Sequence, residues 1–137
     1  MMIIKGEFVF TVSDVSVDFN SIEKILTVEP IKIIKRGQLI GKLKNIEAPL
    51  DIYSIERKFF AKEDIFKQLL ILLDDLLPYH EFIKELAKRY NSVAINCYIR
   101  SEYGQIGFEM SNEIIVKLGI IGIAINFNIL SFGGVEE

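Results

Sequence analysis

Between Leu118 and Val135 the chain carries no charged side chain, a length that would let an apolar helix cross a membrane. Its pattern answers otherwise. Ile121, Ile123, Ile125, Phe127 and Ile129 alternate with Gly122, Ala124, Asn126 and Asn128, the two-residue period of a strand with one buried face. The stretch reads as a strand, and no membrane partner is expected.

The same period opens the chain. Over residues 3–13, Phe8, Phe10 and Val12 lie on one face of a strand and Glu7, Val9 and Thr11 on the other. Asp18 and Asn20 open a short helix carrying Ile22, Ile25 and Leu26, after which Pro30 forces an extended segment. Ile31, Ile33 and Ile34 continue it as a β-like stretch to Gly37, residues 37–49 read as polar loop, and Asp51–Phe60 reads as a strand whose facing the pattern does not set. Glu63–Leu77 is a helix with leucines around most of its circumference, so it should be buried on more than one side. Pro78 breaks or kinks it, and Tyr79, Phe82, Ile83, Leu86, Ala87 and Tyr90 recur at the spacing of an amphipathic helix.

Val93, Ile95, Cys97 and Ile99 then alternate with Ala94, Asn96, Tyr98 and Arg100. A turn at Glu102–Gln105 predicts a hairpin to a shorter strand with Ile106, Phe108 and Met110. Ser111 caps a helix predicted to end at Gly119, before the last strand. The order is β-α-β-β-α-β-β-α-β. It implies one α+β domain over residues 1–137, with a mostly antiparallel sheet and helices packed on one face.

At 137 residues such a domain buries about 68% of the surface its unfolded chain exposes. Hydrophobic residues make up 50% of the chain and mean hydropathy is +0.32, enough to leave apolar surface for an interface. A net charge of −3 offers nucleic acid no general attraction, so no nucleic-acid partner is expected. Cys97, the one cysteine, lies in an apolar run as a buried thiol. Glu7 interrupts the short apolar N-terminus before a signal-peptide core can form. Both observations point to the cytoplasm.

Phe8, Phe10, Phe19, Ile22, Ile25, Leu26, Pro30 and Gly37, then Leu69–Leu77, then Ser111–Leu118, together resemble the bacterial family known as domain of unknown function 4279. The resemblance implies a small α+β sandwich without an established activity, some of whose relatives are suspected of immunity or accessory roles. It transfers no catalytic residues.

The residues themselves offer no catalytic, metal or cofactor constellation. His80, the single histidine, sits off the apolar stripe of its helix, where a solvated helix-end position is the ordinary reading. Asp74 and Asp75 point about 100° apart on a helix and form no dyad. Gly37, Gly41, Gly133 and Gly134 lack the strand-to-helix context of a phosphate loop.

Two features stand out. The first is a basic island: of 16 basic residues, Lys32, Lys35, Arg36, Lys42 and Lys44 lie between Pro30 and Asn45 with no acidic residue among them. It suits an acidic partner or a phosphate group, or is a solvated loop offsetting the acidic remainder. The second is a sheet face. If the apolar series face the helices, Asn96, Tyr98, Arg100, Asn126 and Asn128 project from the opposite side, joined by Glu7 and Thr11. Tyr, Arg and Asn on a flat strand surface are the composition of recognition, or of an ordinary wet face. The expectation is a non-enzymatic protein-binding module that meets a protein partner, or forms a homo-oligomer, through the sheet face. Its sharpest form, an immunity-type protein neutralising a toxin, comes from the resemblance. A small-ligand sensor with a pocket between the leucine-rich helix and the sheet is the alternative.

Overall fold

A computed structural model describes residues 3–134, with side chains through Ser131. In chain order the strands and helices are β1 (Ile4–Asp14), α1 (Phe19–Ile25), β2 (Ile31–Ile34), β3 (Leu39–Ile40), β4 (Ile46–Glu47), β5 (Asp51–Phe59), α2 (Ile65–Leu76), α3 (His80–Arg89), β6 (Ser92–Tyr103), α4 (Asn112–Ile121) and β7 (Ala124–Gly134). Short 3-10 turns precede α2 and α3. Five strands form one sheet in the order β2-β5-β1-β6-β7, and β3 and β4 form a separate two-residue hairpin. The sheet is antiparallel except for the parallel β6–β7 pair. The fold is therefore α+β, as expected from the sequence.

β1 is central and pairs on both sides, Phe8 lying between Arg57 and Cys97 and Phe10 between Ile55 and Ile95. Its alternation sends Phe8, Phe10 and Val12 into the core with no exposed surface, beside Tyr53, Ile55, Ile95, Cys97 and Ile99. The facing of β5, open in the sequence, is settled: Tyr53, Ile55 and Phe59 point inward. α2 roofs these residues with Ile65, Leu69, Leu72, Leu73 and Leu76, while Ile71 and Asp74 face solvent. α3 adds Ile83 and Leu86, α4 adds Ile114 and Ile121, and α1 adds Ile22. Ile25 of α1 is exposed instead.

The hairpin expected after β6 does not form. β6 runs on to Tyr103, and residues 105–110 are not a strand. Both neighbours of β6 are already taken, by β1 and by β7. The alternation of Ile106, Phe108 and Met110 buries one side of an extended segment against the core instead, with Phe108 edge-on to Phe66 at 5.8 Å between ring centroids. That segment and α4 are the crossover that a parallel pair requires.

The α4 boundary also moves. Ser111 caps it by accepting from the Ile114 N–H at 3.3 Å, as the sequence predicts. It runs past Gly119 to end at Gly122, whose φ of 73° supplies the left-handed residue and whose N–H donates to the Leu118 carbonyl. The last strand accordingly begins at Ala124 rather than Ile121. The loop expected over residues 37–49 contains the small β3–β4 hairpin.

Gly6 lies on β1 beside β6, and a β-carbon there would collide with the backbone oxygen of Tyr98. Leu73→Ala is expected to destabilise the fold by about 2 to 5 kcal/mol, and Gly6→Ala to destabilise it through that collision. The midpoints of chemical melts check both; an unmoved Leu73→Ala midpoint would place α2 outside the core.

Candidate functional site: the uncovered face of the sheet

All four helices contribute buried apolar residues to one core, and among the described residues the opposite face of the sheet has no covering layer. Strand register sets its rows. Lys32, Ser54, Thr11, Ala94 and Ala124 form one row across five strands; Glu56, Val9, Asn96 and Asn126 form the next; Lys58, Glu7, Tyr98 and Asn128 follow, then Lys5, Arg100 and Leu130. The five residues singled out from the sequence, Asn96, Tyr98, Arg100, Asn126 and Asn128, thus occupy adjacent places on β6 and β7, with Glu7 and Thr11 beside them on β1.

A chain of hydrogen bonds ties three strands together on this face. The Asn126 amide donates to Asn96 Oδ1 at 3.0 Å, the Asn96 amide to Thr11 Oγ1 at 3.3 Å, and the Thr11 hydroxyl to the Ala94 carbonyl at 3.4 Å. Tyr98 stands beyond this chain with 40% of its surface exposed. It lines a groove of about 310 Å³ with Ile99, Arg100, Asn128, Ile129 and Leu130. A second groove of about 290 Å³ runs along Pro30, Ile31, Lys32, Ser54, Glu56 and Lys58.

The basic island divides. Lys32 belongs to the sheet face, whereas Lys35 and Arg36 occupy the turn after β2, and Lys42 and Lys44 the loop between β3 and β4; all five are exposed. Asp51 fastens that turn, accepting from the Arg36 N–H at 2.7 Å and from the Val17 N–H at 3.0 Å. These two bonds hold its carboxyl below the ordinary carboxylate value.

The residues examined for chemistry have structural surroundings. Cys97 is fully buried, and burial pushes its thiol up to about 12. Asp74 pairs with Lys117, which also reaches Glu113 at 2.9 Å, and Asp75 pairs with Arg57 at 2.8 Å, so the two carboxylates serve different partners. His80 opens α3 with Nδ1 at 3.3 Å from Glu81. Among the described residues no group of three His, Cys, Asp or Glu side chains is placed to hold a metal ion. No helix there is long and apolar enough to cross a membrane.

Sequence reasoning missed Arg57. It points to the inner side of the sheet, where its guanidinium reaches Asp75, the Glu29 carbonyl at 3.2 Å and the Glu56 carbonyl at 2.9 Å. The signal was a cation at an inward position of β5, between Ile55 and Phe59.

Fold and face together define a small α+β protein with a core on one side of its sheet and an uncovered polar surface on the other. The family described as a domain of unknown function, DUF4279, has a model that matches residues 4–131, and the chain belongs to that family. No curated protein and no solved structure matches the chain.

Glu7 lies on this face between Lys58 and Tyr98, a diagonal away from Glu56. Partial burial, then a hydrogen bond shared with Glu56 and repulsion from it, raise the Glu7 pKa above 4.5; Lys58 and Arg100 pull the other way and lose. A raised folded pKa means that ionised Glu7 is penalised in the folded state. The penalty appears as pH rises through 4.5 and is absent well below it. Glu7→Gln is therefore expected to raise Tm at pH 7 and to melt like the wild type near pH 3; thermal melts across that range check it.

Proposed function

We propose that this chain is a cytoplasmic, non-catalytic protein-binding module that meets its partner through the uncovered sheet face around Tyr98. The observation that carries the reading is the exposed Tyr98 ring beside Arg100 and the linked Asn96–Asn126 pair. Tyr and Arg are enriched among binding hot spots, and polar groups already held in place lose little freedom on association. A toxin-neutralising, immunity-type role is its specific form, resting on the family resemblance. The space between α2 and the sheet is filled by Phe8, Phe10, Ile55, Leu69, Leu72 and Leu73, all without exposed surface. That interior favours surface recognition over a ligand held there.

The partner is to be captured from the native host by pull-down and its binding kinetics measured for two variants. Tyr98→Ala, if folded, is expected to speed dissociation by roughly tenfold or more, the loss of a central anchor worth about 2 kcal/mol. Charge reversal at Lys35 and Arg36 is expected to change association only modestly, and less at high salt. Unchanged dissociation for Tyr98→Ala, beside a charge-reversed variant that no longer binds, would move the contact to the basic island.

A further inference from the structure

The two edges of the sheet are built differently. β2, at one edge, is four residues long, follows Pro30 and carries Lys32, all devices that discourage a further strand from adding. β7, at the other, runs for 11 residues with no proline and no charged residue. It pairs only with β6 among the described residues, so a row of its backbone donors and acceptors faces outward. Phe127, Ile129 and Leu130 beside that edge are 39%, 49% and 55% exposed. The register with β6 is regular from Ala124 to Ser131 and shifts only beyond it, before Gly134, so residues 124–130 form an even stretch of edge.

We propose that the free edge of β7 pairs antiparallel with β7 of a second copy, joining two sheets into one of ten strands. The occupant follows from symmetry. A two-fold interface sets each residue against a residue of the same patch, so it must be complementary to itself. Each copy carries a net charge of −3, and a charged strand would oppose its own charge there. With the two-fold axis at Phe127, Phe127 meets Phe127, Ile125 meets Ile129, and Asn126 meets Asn128; Ala124 meets Leu130. Apolar residues face apolar residues on both sides of the seam, and an asparagine amide is both donor and acceptor. About this axis residues 124–130 of the two copies overlap, seven residues that at about 3.4 Å each span roughly 24 Å. The outer face around Tyr98 stays open and is doubled, so the inference stands apart from the proposed partner site.

The full-length chain is to be measured by light scattering coupled to size exclusion at tens of micromolar, with circular dichroism to confirm folding. The wild type is expected at twice the 15.7 kDa chain mass. Phe127→Lys and Phe127→Asp are each expected to be monomeric, and an equimolar mixture of the two to return to the dimer mass, because the axis sets opposite charges together. Hydrogen exchange of the wild type is expected to show the alternate amides of residues 124–130 that face away from β6 protected at high concentration and released on dilution. A monomeric wild type, or single-charge variants that remain dimeric, would overturn the proposal. So would outward-facing β7 amides protected equally at every dilution, or protected only once a peptide from another protein is added.

Discussion

The inward row Phe8, Phe10 and Val12 on the doubly paired β1 is the constraint on which the rest of this structure depends. Each residue has a strand on either side and the α2 leucines above it. β5 and β6 join the sheet only through β1, and β2 and β7 only through those two. Removing the central row would therefore split the inward apolar face into a β2–β5 piece and a β6–β7 piece. Gly6 belongs to the same constraint, since its missing side chain is what lets β1 and β6 close together.

A core on one side of a sheet decides the character of the other side. With no helix over it, that face is composed of groups that remain favourable in water and satisfy one another across strands: the Asn126–Asn96–Thr11 chain and the mixed charges Glu7, Glu56, Lys58 and Arg100. Glu7 shows the residual tension, because two carboxyls share a corner that one would occupy more comfortably. The strand ladder holds such groups in fixed rows, the feature on which the proposed partner site rests.

The titratable residues that invite a chemical reading are engaged in holding the layers together. Arg57 ties β5 to the α2 carboxylate of Asp75 and to the backbone before Pro30; Lys117 ties α4 to α2 through Asp74. Asp51 pins the turn after β2 and the segment before α1 to the start of β5. Each closes a junction between separate elements, and Arg57 and Asp51 also satisfy backbone groups there.

Much of this was legible in the chain itself, because it is local. Period-two alternation marked β1, β6 and β7 and put Asn96, Tyr98, Arg100, Asn126 and Asn128 on one face; leucines around most of its circumference marked α2; Ser111 and Asp18 marked their helices as caps. Alternation reports that one side of a segment is buried, but not what lies along its edges. Residues 105–110 alternate as a strand does, yet they pack beneath the helices without a ladder, while the parallel partner of β6 arrives twenty residues later. The ion pairs of Arg57 and Lys117, the helix end at Gly122 rather than Gly119, and the bare edge of β7 are likewise tertiary outcomes. Side-chain periodicity follows from backbone geometry within a few residues, whereas strand order and exposed edges follow from which distant segments reach the sheet and fill the places beside it.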